Sequence, residues 1–251
     1  MAGGTQQGTQ AFASTLTDLM TSLAVIFILL LVVFLKQSHG KSQQAKDEVR
    51  EQLNAVLTEK KLNVNQDPDD PLTLTVKVGE NQLRFAYGSG ALSPEGQKFV
   101  GGFFDTFAKR VCDKSLRDKI DSILIEGHTD QAGEKTPEGV RANIILSQRR
   151  SFAVLEHALK SVQNSPDIQD CLLKLSSATG RGSQSPVTVN GQYSADDSRR
   201  VEIRIRVRSS EQQLKENLKT ALPQMEGSEP APIPAGPPPS GKPSASSPNN
   251  G

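Results

Sequence analysis

Residues 18–35 read DLMTSLAVIFILLLVVFL. After Asp18 the run holds no charge, and nearly every side chain is Leu, Val, Ile, Phe or Ala. Taken back to Phe12, the apolar stretch covers residues 12–35. As a helix rising 1.5 Å per residue it is about 36 Å long, enough to cross a hydrocarbon core of about 30 Å with some tilt. Asp18 then lies about 9 Å in from one end. A carboxylate at membrane depth costs roughly 2.5–3.5 kcal/mol on insertion scales, so an acid kept there marks an ion or proton site that faces protein. Ser14, Asp18 and Ser22 recur every four residues and Thr21 follows Asp18 by three, which places them in one polar stripe. Such a stripe in lipid asks for a protein partner to cover it. Asp18, Thr21 and Ser22 are the candidate ion-carrying residues, for a proton or sodium.

Two plainer readings compete. A cleaved signal peptide carries a basic start and a shorter apolar core, but the first Lys or Arg here is Lys36. Asp18 as an interfacial helix-start residue leaves the polar stripe unexplained. Orientation pulls the other way: Lys36, Lys41 and Lys46 follow the helix and nothing basic precedes it. Alone, that puts the C-terminal side in the cytoplasm.

The 251 residues leave room for one or two domains, and the net charge of +1 gives no case for nucleic acid. Cys112 and Cys171 are too few and too far apart for a zinc motif; they can pair in an oxidising compartment or remain free thiols. No Gly-x-Ser-x-Gly element, metal-spaced cluster or phosphate loop is present, so neither an enzyme nor a cofactor is expected.

Beyond the membrane run, residues 36–67 read as a linker. Within it, residues 41–62 carry Val49, Leu53, Val56 and Leu57 at helical spacing, which fits an amphipathic or plug helix, or a solvated spacer. Asp67-Pro68-Asp69-Asp70-Pro71 breaks it. Residues 72–78 alternate as a strand, 79–81 read as a turn and 82–85 as a second short strand. Ser93-Pro94-Glu95 starts a helix to about Val111. Residues 122–126 make a strand and 127–139 a loop. Residues 143–160 read as a helix with Ile145, Phe152, Leu155 and Leu159 toward the core. Residues 172–177 read as a strand, 180–197 as a long loop and 201–207 as a final strand. Its Val201, Ile203, Ile205 and Val207 lie on one face and Glu202, Arg204 and Arg206 on a wet one. Alternating helices and strands make 68–210 an α/β sandwich. Residues 211–251 supply a further helix and a Pro-, Gly- and Ser-rich tail expected to be disordered.

Gly127-His128-Thr129-Asp130, Asn143, Leu146-Ser147-Gln148-Arg149-Arg150 and Arg199-Arg200-Val201-Glu202-Ile203 together resemble the OmpA-like peptidoglycan-binding domain. Residues 85–92 with Ser93-Pro94-Glu95-Gly96 resemble that family's strand-to-helix junction. The match spans about residues 85–207, with a longer loop than usual between Asp130 and Asn143. It implies a mixed sheet and a site for the diaminopimelate of wall stem peptides. Asp130 would take the ammonium of that zwitterion and Arg150 its carboxylate as a bidentate pair. Thr129 and Asn143 would add neutral hydrogen bonds, Arg199 would support the site, and His128 would be structural. A plain loop–helix ion pair between Asp130 and Arg150 is the alternative.

Asp18-Leu19-Met20-Thr21-Ser22-Leu23 ahead of an apolar run resembles the helix of MotB-type stator B subunits. Those chains join one acid-bearing membrane helix to an OmpA-like domain. The resemblance implies a single-pass inner-membrane protein: residues 1–11 cytoplasmic, 12–35 transmembrane, and 68–210 periplasmic. It also implies a homodimer, a MotA-like multi-span partner and attachment to peptidoglycan. Residues 1–10 are uncharged, unlike the basic start of flagellar stator subunits. In this the chain resembles the ZorB subunits of the Zorya anti-phage defence system, whose partner is of the ZorA type. A flagellar stator subunit and a passive membrane-to-wall tether are the alternatives.

Overall fold

The computed structural model describes the backbone of residues 5–86 and 88–226, and side chains from Leu16 to Leu218 apart from Ser38, His39 and Tyr87. The start of the cytoplasmic segment expected over 1–11 and the tail after Glu226 lie outside the described residues. One uninterrupted helix, α1 (Thr5–Glu59), carries both the membrane run and the expected linker. At 1.5 Å per residue it is about 80 Å long. Its large apolar side chains from Leu16 to Leu35 are 45–66% exposed. The helix is long and apolar enough to cross a membrane. Such a continuous uncovered apolar surface is what lipid or a protein partner, rather than water, covers.

From Ser42 onward the same helix changes surroundings. Val49, Leu53 and Leu57 are fully buried, and Ala45 and Val56 nearly so, in one cluster with the domain core. Their spacing presents one apolar stripe, and the stripe is used up on the domain. Lys46 donates to Gln66 at 3.1 Å, and Lys119 pairs with Glu48. Residues 41–59 are thus part of the domain, which rules out a solvated spacer. The helix stops where Lys61 takes a left-handed φ of 56° and the Leu62 N–H reaches back to the Leu57 carbonyl at 2.9 Å. That is a left-handed C-terminal stop closed by a buried leucine.

The remaining elements follow as β1 (Val64–Gln66), β2 (Thr73–Gly79), α2 (Glu80–Leu83), α3 (Pro94–Val111), α4 (Lys114–Arg117), β3 (Ile120–Gly127), α5 (Pro137–Ser161), α6 (Pro166–Leu175), β4 (Ser176–Gly180), β5 (Val187–Val189), β6 (Gln192–Ser194), α7 (Ala195–Ser198), β7 (Arg200–Val207) and α8 (Ser210–Glu226). The five-stranded sheet runs β1-β2-β7-β3-β4. It is antiparallel except for the parallel β3–β4 pair, so it is a mixed sheet in an α/β domain. Phe103, Phe104 and Phe107 of α3 are buried in its core. The compact unit that holds the sheet runs, among the described residues, to Leu214; those from Lys215 onward belong to a second unit.

Four local expectations are corrected. Residues 82–85 form no strand: Glu80–Leu83 is one helical turn, closed by the Arg84 N–H on the Glu80 carbonyl, and only Phe85 bridges to Leu92. Residues 172–175 are helical, because Pro166 at the first turn with Asp167 beside it starts α6; the strand begins at Ser176. The long loop 180–197 contains the hairpin β5–β6. Its Asn190 and Gly191 take φ of 51° and 80°, the pair of positive values that a two-residue hairpin turn needs. Finally, α5 starts at Pro137 under a Thr136 cap rather than at Asn143.

Ile145 and Phe152 of α5 point outward, 40% and 57% exposed. The buried stripe of α5 is instead Asn143, Ser147, Arg150, Ser151, Val154 and Ala158. Polar and small residues occupy it because the helix lies close against two strand-end glycines. A Cβ on Gly127 would meet the Ser147 carbonyl oxygen at 2.2 Å, and one on Gly180 the Gln148 nitrogen at 2.3 Å. Leu155 and Leu159 do pack on the core.

Cys112, at the end of α3, and Cys171 in α6 form a disulfide with Cα atoms 6.0 Å apart and a sequence separation of 59. Closing a loop of that length removes about 4 kcal/mol of unfolded-chain entropy. Urea denaturation with and without reductant should show a loss of that order; an unchanged midpoint would show that the bond constrains nothing.

Candidate functional site

The loops that leave β3 and β4 emerge side by side at the C-terminal ends of the parallel pair, where Gly127 is registered against Gly180. Open α/β sheets present ligands at such an end. The Thr129 N–H bonds the Gly182 carbonyl at 2.9 Å, and the Gly182 N–H bonds the Ser147 hydroxyl of α5 at 2.9 Å. Asn143 ties the loop from inside: its amide donates to the carbonyls of Asp130 and Ala132 and to Glu134. The Gln131 N–H donates to the Tyr193 hydroxyl of the hairpin. Asn143 and Thr129 are both buried, and the Asn143 amide and the Thr129 backbone N–H hold the loop that presents Asp130.

Asp130 and Arg150 do not pair directly. Arg199 donates to the Asp130 carboxylate at 2.5 Å, and its Nε bonds Oε2 of Glu80 at 2.7 Å. The other oxygen of Glu80 takes Nη2 of Arg150 at 2.7 Å. Arg199 also pairs with Asp196. The result is an alternating chain, Arg150–Glu80–Arg199–Asp130. The Arg150 side chain is 6% exposed and lies over the Phe85 ring, 4.9 Å from its centroid, a cation–π contact. Its Nε donates to the Ser89 carbonyl at 3.4 Å. Burial lowers the Arg150 pKa and the Glu80 carboxylate opposes that. The hydrogen bond to Asp130 raises that of Arg199 against a smaller burial effect. A cluster of alternating sign, partly shielded from water, suits a zwitterion better than a simple anion or cation.

Neither a protein-family model nor a characterised protein sequence matches the chain. Solved structures do match in fold. A MotB-like protein from Desulfovibrio vulgaris is 23% identical with a TM-score of 0.46, over 69% of this chain and 98% of that one. The periplasmic domain of Helicobacter pylori MotB is 17% identical with a TM-score of 0.44, over 67% and 91%. The cell wall anchor of the T6SS from Pseudomonas aeruginosa is 23% identical with a TM-score of 0.40, over 64% and 97%. At these scores, what the chain does has to be read from its own residues.

Glu80 is the residue that sequence reading missed. It sits outside every motif, and only the fold brings it between the two arginines. His128 lies buried between Glu126 at 3.2 Å and Glu202 at 3.9 Å. Arg200 holds Glu202 at 2.7 Å, while Arg181 and Arg204 approach Glu126 at 3.6 and 3.7 Å. Those three guanidiniums already offset the two carboxylates, which argues against a metal ion there. The polar sheet face is therefore an ion-pair lattice, extended by Arg204–Asp67 at 2.7 Å and Arg206–Asp70 at 3.0 Å.

Burial would raise the Glu126 carboxyl, but His128, Arg181 and Arg204 together bring it below the usual Glu value. Asp70 is lowered in the same way: hydrogen bonds from Leu72 and Thr73 and the charges of Arg206 and Arg204 outweigh burial. Groups depressed in the folded state stabilise fully above their unfolded values and lose that contribution as pH falls through the folded ones. The melting temperature should hold level from about pH 7 to 5 and drop below about pH 4.5. A melting temperature that rises on acidification would contradict the assignment.

In the membrane segment, Asp18 is exposed on the helix surface. The Thr21 hydroxyl donates back to its own helix, to the Thr17 carbonyl at 2.5 Å and the Asp18 carbonyl at 3.1 Å. Ser22 is exposed on the same stretch, and the Ser14 side chain lies outside the described residues.

Proposed function

We propose that this chain is the B subunit of an ion-driven membrane motor anchored to peptidoglycan. One observation carries the reading. The helix that bears Asp18 on an uncovered apolar surface continues without a break into the core of the domain that holds the Arg150–Glu80–Arg199–Asp130 cluster. An ion site on a helix that is built into the domain carrying the wall site is what a fixed post needs; a passive tether needs only the second.

In this reading two copies place their helices inside a ring of a MotA-like multi-span partner. Asp18 faces the lining, binds a proton or sodium ion and releases it, with Thr21 and Ser22 beside it. Neutralising the acid removes a buried charge, so each ion step changes the preferred packing. One elementary charge crossing 100 mV supplies about 2.3 kcal/mol, enough to bias a small rotation. On the other side Asp130 takes the ammonium of diaminopimelate and Arg150 its carboxylate, while Thr129, Asn143 and Arg199 fix the loop and the charges. The Cys112–Cys171 disulfide supports a periplasmic domain, against the lysines that follow the membrane run. The uncharged residues 1–10 favour the Zorya defence branch over a flagellar one. Residues 41–62 can plug a pore only by leaving the domain, since Val49, Leu53 and Leu57 are fully buried there.

The experiment is ion flux into vesicles that hold the full chain with its native membrane partner, compared with the Asp18→Asn variant. Recovery of the chain alone, with no channel partner and no flux, would reduce it to a tether.

A further inference from the structure

Beside the Glu80–Arg199 hub runs a groove of about 800 Å³, lined among others by Lys77, Glu80, Arg84, Phe85, Asp196 and Arg199. That volume is within the range of small-ligand sites. Its carboxylates are already engaged. Glu80 holds both Arg150 and Arg199, and Asp196 pairs with Arg199. Asp197, also on the lining, accepts from Ser194 at 2.5 Å. Two cations are not matched in this way. Lys77 is 53% exposed and only 3.9 Å from Glu202, which Arg200 already holds. Arg84 is exposed and its Nε donates to the Asn81 carbonyl at 3.3 Å. Among the described residues no carboxylate forms an ion pair with Arg84; its charge reaches Glu95, which already accepts from the Ser93 hydroxyl at 3.0 Å. The Arg84 backbone is left-handed, φ 47° and ψ 66°, a conformation disfavoured for a non-glycine residue. The fold holds that conformation where it sets the guanidinium on the groove. Phe85, the next residue, is the ring beneath Arg150, and the Arg84 N–H closes the turn that begins at Glu80.

We propose that Arg84, helped by Lys77, forms a second anion subsite that takes the carboxylate next to diaminopimelate in the wall stem peptide. This rests on the wall-binding reading of Asp130 and Arg150. In a diaminopimelate-type stem the preceding residue is a γ-linked D-glutamate whose α-carboxylate is free. A ligand seated on the Arg150–Asp130 pair carries that group one residue away. The groove continues from the shared Glu80 and Arg199 to a guanidinium that no carboxylate among the described residues holds in an ion pair. The subsite thereby distinguishes stems with a free glutamate carboxylate from stems in which it is amidated.

The test uses the full chain in detergent and titration calorimetry with three ligands: meso-diaminopimelate, the tripeptide L-Ala-γ-D-Glu-meso-diaminopimelate, and that tripeptide amidated at the glutamate α-carboxyl. The acid tripeptide should bind roughly ten-fold more tightly than the amidated one, as expected for one charge-assisted contact at a partly exposed site. Arg84→Asn keeps a residue that accepts positive φ. It should abolish that preference and leave diaminopimelate binding unchanged. Lys77→Gln, on a regular strand, should reduce the preference without backbone consequences. Equal binding of the two tripeptides by the wild-type chain, or full discrimination in the Arg84 variant, would overturn the subsite. Failure of the wild-type chain to bind diaminopimelate at all would instead remove the wall-binding reading, and this proposal with it.

Discussion

Replacing Asp18 by Asn should bring ion flux through the reconstituted complex down to background while the complex still assembles. Asn keeps the size of the side chain and its hydrogen-bonding ability but cannot cycle between a charged and a neutral form. Assembly should survive, because a neutral amide costs less to bury in the membrane than a carboxylate. The side chain is exposed along α1, so its replacement disturbs no contact inside the domain. Flux is measured as acidification of dye-loaded vesicles under an imposed potential, with a sodium-selective dye run in parallel to identify the ion. Asp18→Glu, which retains the titrating group one methylene further out, should keep part of the flux. Wild-type flux in the Asn variant would end the ion-carrier role of this residue.

Loss of the Arg150 guanidinium should lower retention on purified sacculi by at least about ten-fold, the scale of one charge-assisted bidentate contact. Arg150→Ala also removes the partner of Glu80 and the cation over Phe85. A stability loss of roughly 1–2 kcal/mol should therefore accompany it, moderated because Glu80 keeps Arg199 and is itself partly exposed. For that reason Asp130→Asn is the companion variant. Asp130 is 19% exposed, and Arg199 retains Glu80 and Asp196 without it. Retention lost in both variants, with Asp130→Asn melting like the wild-type chain, identifies a ligand site. Retention kept by Asp130→Asn, and lost by Arg150→Ala only in step with unfolding, would make the cluster a structural ion-pair network.

Several parts of this fold were legible because they rest on local periodicity. The strand Arg200–Val207 shows its two faces in alternate residues, and α3 announces itself through Ser93, which caps Gly96, and Pro94 in the first turn. The hairpin at Asn190–Gly191 has a local signal too, since Asn-Gly between two short alternating runs favours a two-residue turn. The outward turn of Phe152 was not legible. An apolar residue on a helix counts toward the core by periodicity, and only the close approach of Gly127 and Gly180 explains why a polar stripe faces inward instead. That residues 41–59 belong to the domain core, not to a spacer, was hidden for a related reason. The charged residues of 41–59 look solvated, and the docking of their apolar face depends on a sheet assembled from residues far along the chain.

By itself the sequence determined that an acid stands in an apolar run long enough to span a bilayer, and that an α/β domain follows it. Both follow from the order of neighbouring side chains. Tertiary structure alone decided that α1 runs unbroken into the core, that Cys112 meets Cys171, and that Glu80 stands between Arg150 and Arg199. Those contacts join residues 59 to 119 positions apart, and packing of the whole chain, rather than the propensity of any segment, brings their charges and sulfur atoms within bonding reach.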